Sequence, residues 1–255
     1  GDHRDLHAFP TRRSSDLCKI GGFVQGFSFN GLTFAIPPKV CDAMDDSQKW
    51  AITAAREALQ DAGYLQKPFP REKTAVIIGN SIGGQNRIKT ILRVSFPEVE
   101  RAIKKTAHFQ SLPPATQGQV LQELKKMYQD QFPGITEDSM PGELSNVISG
   151  RIANIFNLGG SNYTTDAACA SSLAALHSAV NGLKMRDFDM AVTGGTDHSM
   201  SPDSYIKFCK IGALSGEKSC PFDAAANGFV MGEGSAIFIL KRLGDAERDH
   251  DKIYA

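Results

Sequence analysis

The spacing of apolar positions alternates between helical and extended along this chain. Trp50, Ala54, Ala58 and Leu59 recur at helical spacing behind the N-cap candidates Asp45-Asp46-Ser47, and Gly63 stops the run, which predicts an amphipathic helix ending near Ala62. Thr74-Ala75-Val76-Ile77-Ile78-Gly79 then reads as a buried strand. A long charged stretch follows from Arg87 to Pro141. Within it Pro113-Pro114 precedes a helix whose Val120, Leu121, Leu124, Met127 and Tyr128 form one stripe, read as ordinary packing rather than a partner site. Leu144, Val147, Ile148, Ile152 and Ile155 mark another helix, which leads through Gly159-Gly160 to the β-formers Asn162-Tyr163-Thr164-Thr165. Leu173, Leu176, Val180 and Leu183 recur at intervals of three and four with alanine on the other faces, so this helix is expected to be apolar all round and buried. Asp189 to Thr193 and Ser235 to Leu240 complete the strands. Strands separated by helices imply an α/β layer architecture, and no internal repeat or low-complexity linker interrupts it.

The most informative stretch is the join between strand and helix at Thr165-Asp166-Ala167-Ala168-Cys169-Ala170-Ser171-Ser172-Leu173, where one thiol stands on a sharp corner between small residues. A thiol at the first turn of a helix meets unpaired backbone N–H groups and the positive end of the helix dipole, which favour thiolate over thiol. The same N–H groups can hold an oxyanion developing on a thioester carbonyl. Local sequence leaves two readings open for Cys169: a nucleophile, or the inert buried cysteine common for this residue type.

Composition narrows the partners more than the fold. The 255 residues are 41% hydrophobic, enough for one large domain or two small ones, and 28 basic residues balance 28 acidic ones. No whole-chain field therefore favours nucleic acid or an anionic membrane. The cysteines, at 18, 41, 169, 209 and 220, form neither a disulfide framework nor a CxxC metal pattern, and a reducing cytoplasm is their natural setting. No apolar run approaches the ~20 residues of a membrane span. The start carries no signal-peptide core.

Other chemistry is thin. Gly232-Glu233-Gly234 lacks the third glycine of a dinucleotide loop and reads as a tight turn, and neither a GxxxxGK[ST] loop nor a GxSxG elbow is present. His177 follows Cys169 by eight residues, about 12 Å along a helix, too far to touch the thiol. His198, after Gly194-Gly195, reads as a structural turn histidine. Asp166 is a candidate cap for the helix after Cys169, and Asp223 and Glu233 read as turn-holding groups rather than acid or base.

Three ordered motifs together resemble the β-ketoacyl synthases, the condensing enzymes of fatty-acid and polyketide assembly. They are Gly150-Arg151-Ile152-Ala153-Asn154 through Cys169-Ala170-Ser171-Ser172-Leu173; the strand Ala191-Val192-Thr193-Gly194-Gly195; and Cys220-Pro221-Phe222-Asp223 followed by Gly228-Phe229-Val230-Met231-Gly232-Glu233-Gly234. The resemblance runs from about Gly21 to the C-terminus. The wording around Ser139 to Leu144 and Lys207 to Gly212 is most similar to ketosynthase domains of type I polyketide and polyunsaturated-fatty-acid synthases. The segment Phe9 to Leu17 resembles the translation of a sequencing-library adapter, so residues 1–17 are set aside as non-native and 18–255 are taken as a β-ketoacyl synthase N-terminal domain truncated at both ends. The family's opening apolar strand is replaced there, and the sheet is expected to lack one member.

The resemblance implies an incomplete thiolase-like fold, the N-terminal half of a layered α-β-α-β-α architecture. It implies that Cys169 accepts an acyl group from the phosphopantetheine of an acyl carrier protein, for decarboxylative condensation with a malonyl-type extender, with no further cofactor and no metal. In the family two histidines, in HGT and GH motifs of the C-terminal half, assist decarboxylation; neither motif occurs in these 255 residues. The expected entity is an acyl-accepting half-site, homodimeric in its intact parent and poorly stable alone. Two other readings stand beside it. One is a non-catalytic relative acting in chain-length control or assembly, against which Cys169 counts; the other is an unrelated cysteine hydrolase, which needs a partner histidine that no motif identifies.

Overall fold

The computed structural model describes residues 18–255; the adapter-like segment, and with it the expected loss of an opening strand, lies outside the described residues. Past a short 3-10 turn at Gly31–Phe34, helix α1 spans Pro38–Ala43 and α2 spans Asp46–Asp61. Asp45 caps α2 by accepting the N–H of Ser47, as its position in the sequence predicts. The buried line of α2 is Gln48, Ala51, Ile52, Ala55 and Leu59, with Trp50 beside it, so Ala54 and Ala58 fall at the edge of the expected face rather than its centre.

Strand β1, Thr74–Gly79, is buried at every position. The charged stretch after it folds into α3 (Asn86–Val94), α4 (Phe96–Lys104), α5 (Ala107–Gln110), α6 (Pro114–Gln129) and α7 (Ser139–Glu143). Leu121, Leu124 and Tyr128 of the α6 stripe are half-buried, and Tyr128 meets Phe96 of α4 with ring centroids 5.7 Å apart. Val120 and Met127 of the same stripe face solvent. Then come α8 (Asn146–Ile155), β2 (Asn162–Thr165), α9 (Ser171–Met185), β3 (Met190–Asp197), α10 (Pro202–Lys210), β4 (Gly234–Lys241) and α11 (Leu243–Arg248). Pro38, Pro97, Pro114 and Pro202 all stand in the first turn of a helix, where a missing N–H leaves no ladder bond unmade.

The sheet has the order β2-β1-β3-β4, with β1 parallel to both neighbours and β4 antiparallel to β3. Alternation along β1 divides its side chains between two cores. Val76 and Ile78 pack with Ile52, Ala55, Ile148 and Ile152 of α2 and α8, whereas Ala75 and Ile77 pack with Ala175, Ala179 and Leu183 of α9. The result is a helix–sheet–helix sandwich, a mixed α/β fold. Among the described residues no helix is long and apolar enough to cross a membrane.

One expectation is overturned. Helix α9 is not buried all round: its buried positions are Ser171, Ala175, Ala179, Gly182 and Leu183, while Leu173 is 67% and Met185 72% exposed. The sheet lies on one side of the helix only, and small side chains are what let that side lie close to β1 and β3. The leucines that set the sequence periodicity point largely elsewhere.

Candidate functional site

β2 ends at Thr165 and α9 begins at Ser171, so residues 166–170 turn the chain from strand to helix. The turn is braced three times. Asp166 Oδ1 accepts the N–H of Ala168 at 2.9 Å; Ser171 Oγ accepts the N–H of Ala167 at 2.9 Å; and the same hydroxyl donates to the carbonyl of Ala168 at 2.6 Å. Ala168 adopts φ +50°, the left-handed region. That conformation costs a residue with a Cβ on the order of 1–2 kcal/mol, and the three bonds offset it. Asp166 thus holds the turn rather than capping α9; the cap position is Ala170, which has no capping side chain. Cys169 stands one residue before that cap, just outside the first turn in which the sequence places it, and it is exposed rather than buried. The inert-core reading of this thiol therefore fails on exposure.

Two glycines let the helix start sit on the carboxyl edge of the sheet. Gly79 and Gly195 are register partners in the parallel strands β1 and β3. A Cβ on Gly79 would lie 2.4 Å from the carbonyl carbon of Ser171 and from the nitrogen of Ser172, and one on Gly195 would lie 2.7 Å from the Cβ of Ser172. No side chain fits between α9 and these strand ends. The edge so formed borders a cleft of about 880 Å³, lined by Cys169, Leu173, Leu176, Phe208, Phe229 and Phe238 among others. A cleft outside the carboxyl ends of parallel strands is where open α/β sheets bind ligands.

The two carboxylates that line the cleft, Asp197 and Glu233, are engaged in hydrogen bonds, and Glu233 lies in extended backbone and ties a distant segment rather than holding the expected turn, whereas Asp223, outside the cleft, does hold one. Asp197 accepts both the N–H (3.3 Å) and the hydroxyl (2.6 Å) of Ser199, and Glu233 accepts the N–H of Val24 at 3.2 Å. Asp223 accepts the N–H of Ala225 at 2.8 Å. Among the described residues no histidine lines the cleft. His177 pairs instead with Asn181 at 2.9 Å on the exposed side of α9. Cys209 lies in the last turn of α10, the negatively polarised end of that helix, with its sulfur accepting the N–H of Cys18 at 3.4 Å.

Behind the cleft lies a buried polar knot that only the fold brings together. Asp45, fully buried, accepts four N–H groups: Ser47 (2.9 Å) from α2, Gln85 (2.9 Å) and Asn86 (2.9 Å) at the start of α3, and Nδ1 of His198 (3.0 Å) just past β3. Thr196 donates to the carbonyl of Ser47 at 3.0 Å, and Asn80 donates to the carbonyl of Thr196 at 2.8 Å, tying the ends of β1 and β3 to the start of α2. His198 is accordingly structural. Burial pushes its pKa down, but the hydrogen bond and charge of Asp45, with Asp46 and Glu233 adding, hold it above the ordinary 6.5. Burial likewise pushes Asp45 up, and the His198 contact and the backbone N–H groups outweigh it, holding the carboxyl below 3.8.

The signs give a pH optimum. The His198 contribution is fully present below 6.5 and is lost as pH rises through its higher folded value; that of Asp45 is present above 3.8 and is lost as pH falls through its lower one. Denaturant unfolding across pH should therefore show greatest stability from this pair between 3.8 and 6.5, with a decline above it that a His198→Gln variant lacks. Parallel pH profiles for the two proteins would contradict this.

The family model described as Beta-ketoacyl synthase, N-terminal domain, matches residues 2–246. The whole chain aligns with a polyunsaturated fatty acid synthase polypeptide of Thraustochytrium sp. at 33% identity, covering 9% of that protein. It aligns over 99% of its length with Polyketide synthase PksN of Bacillus subtilis at 32% identity, covering 4% of that protein. Among solved structures, the ketosynthase from module 6 of the bacillaene synthase of Bacillus subtilis superposes with a TM-score of 0.63 at 30% identity, over 89% of this chain and 31% of that one. The chain thus spans a small part of the curated relatives and about a third of the solved one. The helix–sheet–helix sandwich, the thiol at its carboxyl edge and these matches agree, and the chain belongs to the β-ketoacyl synthase family as its thiolase-like N-terminal domain.

Proposed function

We propose that Cys169 is the acyl-accepting nucleophile of a condensing enzyme. The observation that carries this reading is its place: an exposed thiol at the N-terminal approach to α9, opening onto the cleft at the carboxyl edge of the sheet. In the proposed step the Cys169 sulfur, as thiolate, attacks the carbonyl carbon of an acyl thioester. The resulting oxyanion is held by the N–H of Cys169, and it collapses to expel the donor thiolate, which takes up a proton. The acyl chain is then left on Cys169 with its tail along Leu173, Leu176 and Phe238. A malonyl-type thioester would next lose carbon dioxide to form an enolate, which attacks the Cys169-bound carbonyl. The product is a β-ketoacyl thioester on the carrier, with the thiolate regenerated. The chemistry asks for an acyl carrier protein as donor and acceptor. Among the described residues strand β2 is an outer strand of the sheet with no partner on its free edge and Tyr163 42% exposed, and that edge supports a homodimeric parent.

The test is to incubate the protein with an acyl-N-acetylcysteamine thioester and map the modified peptide. Label is expected on Cys169. Label on Cys209, whose flanking Lys207 and Lys210 make it the rival thiol, would overturn the assignment.

A further inference from the structure

We propose that Ser171 is a positioning residue for the acylation step, acting through the peptide that joins Ala168 to Cys169. The proposal rests on the reading of Cys169 as acyl acceptor and adds how that residue's N–H is aimed.

The argument is one of peptide geometry. Ser171 is 5% exposed and its hydroxyl is used twice, accepting from the N–H of Ala167 and donating to the carbonyl of Ala168. The backbone N–H of Ser171 donates to that same carbonyl at 3.1 Å. A peptide unit is planar and trans, so its C=O and N–H point in opposite directions and cannot turn independently. Two donors from Ser171 that fix the Ala168 carbonyl therefore fix the direction of the Cys169 N–H, which belongs to the same plane. The positive φ of Ala168 bears on the plane before this one, the peptide that joins Ala167 to Ala168. A carbonyl that accepts two hydrogen bonds is also polarised, which strengthens donation from the N–H at its other end. Asp166, bonded to the N–H of Ala168, steadies the preceding plane and leaves this one to Ser171.

An N–H aimed in advance matters only when an oxyanion forms. Attack on a thioester makes one; alkylation of the same thiol by iodoacetamide does not. The two reactions therefore separate positioning from general support of the fold. In Ser171→Ala the rate constant for loading from a saturating acyl-N-acetylcysteamine thioester should fall at least about tenfold, since removing an oxyanion donor outright costs about 10²–10³. Its half-saturating concentration should hold within about twofold, and iodoacetamide alkylation of Cys169 should also stay within about twofold. Ser171→Thr, which keeps the hydroxyl, should restore loading, and Ser171→Val, which has the shape of threonine without the hydroxyl, should not.

Wild-type loading by Ser171→Ala, equal slowing of both reactions, alkylation at the rate of the urea-unfolded chain, or failure of Ser171→Thr to exceed Ser171→Val would each overturn the proposal. Cys169→Ala is the separate control: acyl label that survives it defeats the reading of Cys169 itself, whatever the Ser171 variants do.

Discussion

Replacing Cys169 by alanine removes acyl loading and leaves thermal unfolding almost unchanged. The side chain is exposed and belongs to neither core of the sandwich. A surface change of this kind moves stability by no more than about 0.5 kcal/mol, which in a chain this long is a shift of about 2 °C or less. The braces of the turn come from Asp166 and Ser171, so they survive the substitution. Loading, in contrast, depends on the one atom removed, and loss of a nucleophile is expected to cost more than about 10³-fold. The paired measurement is a thermal melt and an acyl-labelling time course on the same preparation. Labelling that persists, or a melt that falls by many degrees, would show that the thiol is structural.

Asp45→Ala has the opposite signature, a large loss of stability from a residue that does not line the cleft. It deprives four N–H donors of one acceptor, one of them a buried imidazole held above its ordinary pKa. Removing one partner of a buried, hydrogen-bonded pair costs about 3–5 kcal/mol, which corresponds to a fall in melting temperature of roughly 6–20 °C for a domain of this size. Asp45→Asn keeps one oxygen, which can serve Ser47 and His198 or Gln85 and Asn86 but not both pairs, and turns an amide donor toward the other pair, so its loss should be smaller than that of alanine but more than half as large. Differential scanning calorimetry of the three proteins checks the order. An alanine variant that melts within about 2 °C of the parent would mean the knot is no more than an ordinary helix cap.

Much of this fold is legible in the chain because its signals are local. Thr74 to Gly79 is an uninterrupted run of strand formers and proves to be the inner, fully buried strand, and Asp45 is a cap that a reader can find by residue type alone. The thiol corner is legible for the same reason, since small residues flanked by a β-former run and a helical period announce a sharp turn. What stays hidden depends on partners far away in sequence. His198 looks like a lone turn histidine until the fold sets it against Asp45, 153 residues earlier. The spacing of Leu173, Leu176 and Val180 suggests a buried helix, yet the sheet selects the face of Ala175 and Ala179, because closeness there matters more than hydrophobic bulk. Ser171 carries no visible sign of its role: a serine in a first turn is ordinary, and only its two bonds across the positive-φ alanine distinguish it. Gly79 and Gly195 read as strand ends, and the space they leave for α9 is apparent only once β1 and β3 stand in register.

The buried knot also carries its own optical label. Trp50 is the single tryptophan of the chain; the residue is 7% exposed and its ring meets the His198 imidazole edge-on, with centroids 4.9 Å apart and planes inclined at 70°. Its indole N–H has no hydrogen-bond partner among the described residues. All indole emission from this protein therefore originates beside the Asp45–His198 pair. Fluorescence excited at the tryptophan edge watches the support behind the cleft without an added dye, and chemistry at Cys169 can be followed separately by mass.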